Sequence, residues 1–226
     1  MKAARISELY AGERNFVFLG EAGSGKTQIA INFALALAAE QPAPVQLFDM
    51  DQTKTSFRAR DFSESLSSEG VTVRWQPQFL DAPTVASGVS ESLRDKRCFT
   101  LLDVGGGHYG SHMIGQFAQN LRNVDTEVIY ILNPYRPWSR RRGDIDATMA
   151  HITASSALSI DSFIFNPNIG MQTSPELVLS GLRELKALMP EHKAKLITVE
   201  ASLCGAVLPR VDSPILPLRL SAYSWL

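Results

Sequence analysis

Gly20 to Thr27 reads Gly-Glu-Ala-Gly-Ser-Gly-Lys-Thr, with glycine at the first, fourth and sixth positions and a lysine and a hydroxyl at the end. The spacing G-x-x-x-x-G-K-[ST] suits a phosphate chain. Its glycines let the backbone fold tightly, so that consecutive N–H groups point at phosphate oxygens, and the N-terminus of a following helix adds partial positive charge. Lys26 would reach the β- and γ-phosphates, and Thr27 would offer its hydroxyl to Mg²⁺. Gly20, Gly23, Ser24, Gly25, Lys26, Thr27 and the adjoining Gln28 are the candidate nucleotide-binding residues. A glycine-rich turn with a chance Lys-Thr is the plainer alternative, and the flanking segments disfavour it.

Four further places carry chemistry. The apolar run Cys98 to Leu102 ends in Asp103 and passes at once into Val104-Gly105-Gly106-Gly107. Asp103 would hold Mg²⁺ through water, and Gly106 would let a backbone N–H approach a γ-phosphate, so the segment gains a contact with ATP and loses it with ADP. Val45 to Phe48 delivers two carboxylates, Asp49 and Asp51, and Ser162 to Phe165 delivers Asn166, whose amide can donate and accept at an adenine edge. Asn166 is also an ordinary turn residue. The run Asn133-Pro-Tyr-Arg-Pro-Trp138, continued by Arg140, Arg141 and Arg142, sets rigid and cationic groups at a strand end. It reads either as a solvated helix start or as a contact with a nucleotide, a partner or an acidic substrate.

These residues need elements to hold them. Apolar runs predict strands at 15–19, 45–49, 71–75, 98–103, 127–132, 162–165 and 195–199. Between them lie helical patterns: Ile29, Phe33 and Leu37 after the glycine-rich loop, Val85, Val89 and Leu93 within 84–96, Met113, Phe117 and Leu121 within 108–122, and a helix over 144–157. Another starts at Ser174 as cap with Pro175 at its first position, buries Val178, Leu182, Leu185 and Met189, and stops at Pro190. In 52–69, a loop and a helix, Arg58, Arg60 and Asp61 are expected to face outward; 77–83 reads as a loop. The tail, from about 205 to 226, is expected to be irregular, with Tyr223 and Trp225 anchored on the body or touching a partner. Alternation of strand and helix predicts an α/β fold: a three-layer α/β/α P-loop NTPase with a mostly parallel sheet of about seven strands, in one domain over 1–226. Parallel strands would gather the acidic ends around the glycine-rich loop.

Composition narrows the classes. Of the 226 residues 45% are hydrophobic and 20% charged, and the net charge is −1, which is globular and gives no basic surface for nucleic acid. The first ten residues are polar, and no apolar run approaches a bilayer's span, so a cytoplasmic protein is expected. Cys98 and Cys204 stand apart without a C-x-x-C pair, which argues against a disulfide framework or a cluster. No Asn-Lys-x-Asp supports guanine specificity.

From Phe16 to about Leu188 the chain resembles the MinD/ParA/CobQ-type P-loop ATPases of the SIMIBI class. The resemblance rests on the glycine-rich loop, on Asp49 and Asp51, on Asp103-Val104-Gly105-Gly106 and on the Asn166 turn. Phe57-Arg58 and Asn133-Pro-Tyr-Arg-Pro137 make the chain similar to a bacterial group of MinD-like ATP-binding proteins. The resemblance implies ATP with Mg²⁺, a catalytic set of Lys26, Asp49 and Asp51, and adenine bound by Asn166. Asp49 would position the attacking water; Asp51 would sit in the first switch and share the metal with Thr27 and Asp103. Glu21 departs from it, standing where most of the MinD/ParA branch carries a lysine that reaches across an ATP-sandwiched dimer. That departure counts against the lysine-in-trans mechanism and leaves an ATP-dependent homodimer open.

Three functions fit these residues. The first is a slow ATPase, able to turn over without an arginine finger, that orders the segments around Asp51 and Gly106 to control or mature an unidentified partner protein. The second is an ATP-dependent small-molecule kinase or ligase of the dethiobiotin or cobyrinate synthetase type, with Arg136 and Arg140 to Arg142 gripping a substrate acid. The third is a metal chaperone using His108 and His112, which the absence of paired cysteines disfavours and whose histidines a solvated helix start explains better. The proline-broken tail, with Arg210 and Arg219 as its cations, does not read as a membrane anchor.

Overall fold

The computed structural model describes residues 5–51, 57–76 and 87–219, and the backbone of His108. The expected loop 77–83, the start of the helix predicted from residue 84, and Tyr223 and Trp225 lie outside them. Asn15–Leu19 (β1) is buried at every position, as a strand covered on both faces must be. Its side chains alternate: Phe16 and Phe18 enter one apolar cluster, Val17 and Leu19 the other, as the two-residue period of a strand requires.

The other strands are β2 (Val45–Asp49), β3 (Val71–Arg74), β4 (Phe99–Asp103), β5 (Thr126–Leu132), β6 (Ser162–Phe165), β7 (Ala194–Glu200) and β8 (Ile215–Leu218). They form one sheet in the order β3-β2-β4-β1-β5-β6-β7-β8, with every pairing parallel. On one face lie α1 (Ile6–Leu9), α2 (Lys26–Glu40) and α3 (Ser63–Ser68). They meet the sheet through Ile6, Ile29, Phe33, Leu37 and Leu66. Phe33 packs its ring 4.9 Å from Phe16 and 5.4 Å from Phe18. On the other face lie α4 (Val89–Arg94), α5 (Gly107–Gly115), α6 (Ala118–Arg122), α7 (Arg142–Ser156), α8 (Pro175–Leu188) and α9 (Cys204–Val207). Val89, Ile114, Ile152, Leu185 and Val207 fill that side. The architecture is the expected three-layer α/β/α sandwich.

Two details differ from expectation. The tail is not irregular throughout: Ile215–Leu218 pairs with β7 as an eighth strand, and Leu216 and Leu218 pack under α2. Pro217, which lacks an N–H, is tolerated because β8 is at the sheet's edge. The helix expected over 108–122 is two, with Ile114, Ala118 and Leu121 as the buried face; Gly115 ends α5 where a methyl group would lie 3.0 Å from the Ser155 carbonyl of α7. The capped start of α8 is as the sequence indicates, with Ser174 Oγ accepting from Leu177 N at 3.3 Å and Pro175 first in the helix.

Because all strands run the same way, the residues after β1, β2, β4, β5 and β6 emerge along one edge of the sheet. β4 and β5 flank β1 on opposite sides. The glycine-rich loop leaves β1 at this divide, where open α/β sheets form their ligand crevice.

Candidate nucleotide-binding site

The loop leaves β1 at Gly20 and enters α2 at Lys26. Gly25 has φ +101°, and a methyl group on it would stand 2.2 Å from Asn166 Nδ2. Both the left-handed backbone and the close approach require glycine.

Side chains tie down four of the loop's carbonyls. Lys26 Nζ donates to Gly20 O at 2.8 Å and to Glu21 O at 2.9 Å. Arg136 Nε donates to Gly23 O at 2.8 Å. Asn166 Nδ2 donates to Ser24 O at 2.8 Å, and its Oδ1 accepts from Thr198 Oγ1 at 2.7 Å. A loop held this way keeps one shape, so less ordering opposes ligand binding. Asn166, expected on an adenine edge, is buried here as a brace between β7 and the loop. Gln28, expected on the nucleotide, donates its amide to Arg219 O just beyond β8.

The segment after β4 touches the loop. A methyl group on Gly106 would stand 2.7 Å from Ala22 N and Cα, and one on Gly107 would stand 3.3 Å from Glu21 Oε2. Asp51 closes in from the second strand, its Oδ1 being 3.2 Å from where a Gly105 methyl would lie. Thr27, Asp51 and Asp103 are 2%, 2% and 1% exposed. A hydroxyl and two carboxylates are the hard oxygen donors that Mg²⁺ takes alongside phosphate, and the glycine cradle is too close for side chains. The residues present therefore fit a metal-bound phosphate chain. On β5, beside Leu19, burial and then the charge of Glu21 push the Tyr130 hydroxyl well above its ordinary range, which keeps it neutral.

Asp49 stands in register with Asp103 on β4 and is closed by an arginine. Arg60 Nε donates to its Oδ2 at 2.7 Å and Arg60 Nη2 to its Oδ1 at 3.0 Å. Arg60 N and Asp51 N also reach the carboxylate, each at 3.2 Å, and Arg60 Nη2 extends to Asp51 O at 2.7 Å. The expectation that Arg60 faces outward is thus corrected: Arg58 and Asp61 pair at the surface, 3.1 Å apart, while Arg60 turns inward because a buried carboxylate requires a countercharge. The bond to Asp49 raises the pKa of the Arg60 guanidinium further. Asp49, expected to hold the attacking water, directs both oxygens at Arg60.

Elsewhere the arginine cluster is dispersed. Arg142 pairs with Asp146 at 2.7 Å and with Glu191, and donates to Leu188 O, so it does not join Arg136 at the loop. His112 is exposed on α5; among the described residues no group of three His, Cys, Asp or Glu could hold a metal ion. Cys98 and Cys204 are free thiols. No helix among the described residues is long and apolar enough to cross a membrane.

No family model and no curated protein matches this sequence. Solved structures do match its fold. The cell division protein FtsY from Thermotoga maritima superposes with a TM-score of 0.56 at 15% identity, over 83% of this chain and 62% of that one. The signal recognition particle 54 kDa protein from Aeropyrum pernix, solved in complex with GDP, superposes at 0.53 with 16% identity, over 82% of this chain and 41% of that one. The chain thus spans less than two thirds of either relative and shares with them the P-loop NTPase fold.

Proposed function

We propose that this chain is a nucleotide switch: it binds Mg-ATP in the Gly20–Thr27 loop and hydrolyses it slowly, and the Asp103–Gly106 segment reports which nucleotide is present to a protein partner. The approach of Gly106 to Ala22 carries the reading, since a methyl group there would meet the loop backbone at 2.7 Å. A segment in such contact with the phosphate loop responds to a γ-phosphate with its own backbone, and α5 begins at the next residue.

Each side chain has a part. Lys26, now on loop carbonyls, exchanges them for phosphate oxygens and neutralises their charge. Thr27, Asp51 and Asp103 would hold Mg²⁺, which would neutralise further phosphate charge. Arg60 holds Asp49 and the Asp51 carbonyl together, so the turn carrying Asp51 moves as one piece with the start of the short 3-10 helix Ala59–Phe62. Hydrolysis of this kind is positioning and charge neutralisation, and its output is the loosening of the ordered segments.

Adenine is preferred over guanine on the resemblance to the MinD/ParA/CobQ ATPases and the lack of an Asn-Lys-x-Asp. Calorimetric titration of ATP and GTP with Mg²⁺ tests this together with hydrogen exchange at 103–110 in each nucleotide state. ATP is expected to bind at least tenfold tighter than GTP and to protect 103–110 more than ADP does. Preference for GTP would replace ATP with GTP in the proposal, and equal protection by ATP and ADP would remove the switch.

A further inference from the structure

Arg136 is an arginine presented to the phosphate loop by a stiff support. Asn133 Oδ1 accepts from Tyr135 N at 3.0 Å, Asn133 O accepts from Arg136 N at 3.2 Å, and Asn133 Nδ2 holds Asn168 O at 2.7 Å. Tyr135 Oη donates to Leu177 O on α8, and Pro134 presses so near Gly181 that a methyl group there would lie 2.8 Å from its Cγ. Pro137 fixes the backbone after the arginine. The guanidinium lies over Gly23, with Nε 3.5 Å and Cζ 3.7 Å from where a Gly23 side chain would begin. Nε is held on Gly23 O; among the described residues Nη1 and Nη2 have no hydrogen-bond partner.

We propose that Arg136 is a catalytic arginine supplied by the chain itself, its Nη donors facing the phosphoryl group in transit. Gly23 is the fourth loop position, on the stretch whose N–H groups cradle phosphate, so an arginine anchored on its carbonyl stands beside that cradle. This inference rests on the reading of the loop as a nucleotide site and deepens it. During hydrolysis the oxygen of water bonds to the γ-phosphorus as the bond to the β,γ-bridging oxygen breaks. The products are a nucleoside diphosphate and phosphate; one proton of the water stays on the phosphate and the other passes to solvent. Negative charge gathers on the transferring oxygens and the bridging oxygen, and a bidentate guanidinium neutralises it.

The test compares Arg136→Ala and Arg136→Gln with the native protein. Gln keeps a neutral donor for Gly23 O and removes the charge, which separates catalysis from bracing. Both variants are expected to bind Mg-ADP within about fivefold of native, to lose on the order of 10³-fold in kcat, and to fail to retain ADP with aluminium fluoride, a mimic of the transferring group that the native protein retains. Native turnover in either variant, or rescue by Gln, would overturn the inference and leave the nucleotide site standing. Failure of the native protein to bind any nucleotide would overturn both.

Discussion

Asn166 Nδ2 donates to Ser24 O at 2.8 Å across 142 positions of sequence, so the end of β6 holds the middle of the phosphate loop. Thr198 on β7 fixes the other end of the same amide at 2.7 Å. Asn166→Ala leaves a buried carbonyl and a buried hydroxyl without that partner, which costs about 1–3 kcal/mol for each such group. Chemical denaturation is expected to show a loss of about 2–6 kcal/mol for the two groups together, with nucleotide affinity falling about tenfold as the loop becomes mobile. Unchanged stability and affinity would mean that the bond does not shape the loop.

Arg60 and Asp49 form the second brace. The Asp49 side chain is fully buried and that of Arg60 is 15% exposed. Arg60→Ala leaves a buried carboxylate without its cation, and the expected cost is about 3 kcal/mol. Arg60→Ala/Asp49→Asn is expected to recover part of this, because the uncompensated charge is gone. If the single and double variants unfold at the same denaturant concentration, the pair is not coupled.

Gly106→Ala tests the contact between the switch and the loop. The added methyl would stand 2.7 Å from Ala22 N and Cα, so the segment must withdraw. ADP affinity is expected to stay within about threefold and ATP affinity to fall to the ADP level, since in the proposed switch only the γ-phosphate would need the segment in place. A variant that still distinguishes ATP from ADP as the native protein does would show that Gly106 does not read the γ-phosphate.

Much of this was legible in the sequence because strong local rules agreed. The buried run Asn15–Leu19, the glycine spacing, and the Ser174-Pro175 start of α8 each follow from steric or hydrogen-bonding demands within a few residues. What was not legible depends on partners distant in the chain. Ile215–Leu218 looked irregular because Pro214 and Pro217 break strands locally, and nothing local says that an edge place beside β7 tolerates them. Arg60 read as a surface charge because its reason for turning inward, the carboxylate of Asp49, lies eleven positions earlier and was itself assigned to water. Asn166 reads as an adenine contact from its place at a strand end. Its bonds to Ser24 and Thr198 came only with the fold.

Lys26→Ala is the most direct measurement, by calorimetric titration of Mg-ATP into native and variant protein, each shown to be folded by circular dichroism. The native chain is expected to bind with a Kd in the micromolar range and the variant at least a hundredfold more weakly, because the loop cation proposed to reach the β- and γ-phosphates is gone. Equal affinity in the two would contradict the assignment of Gly20–Thr27 as the nucleotide site.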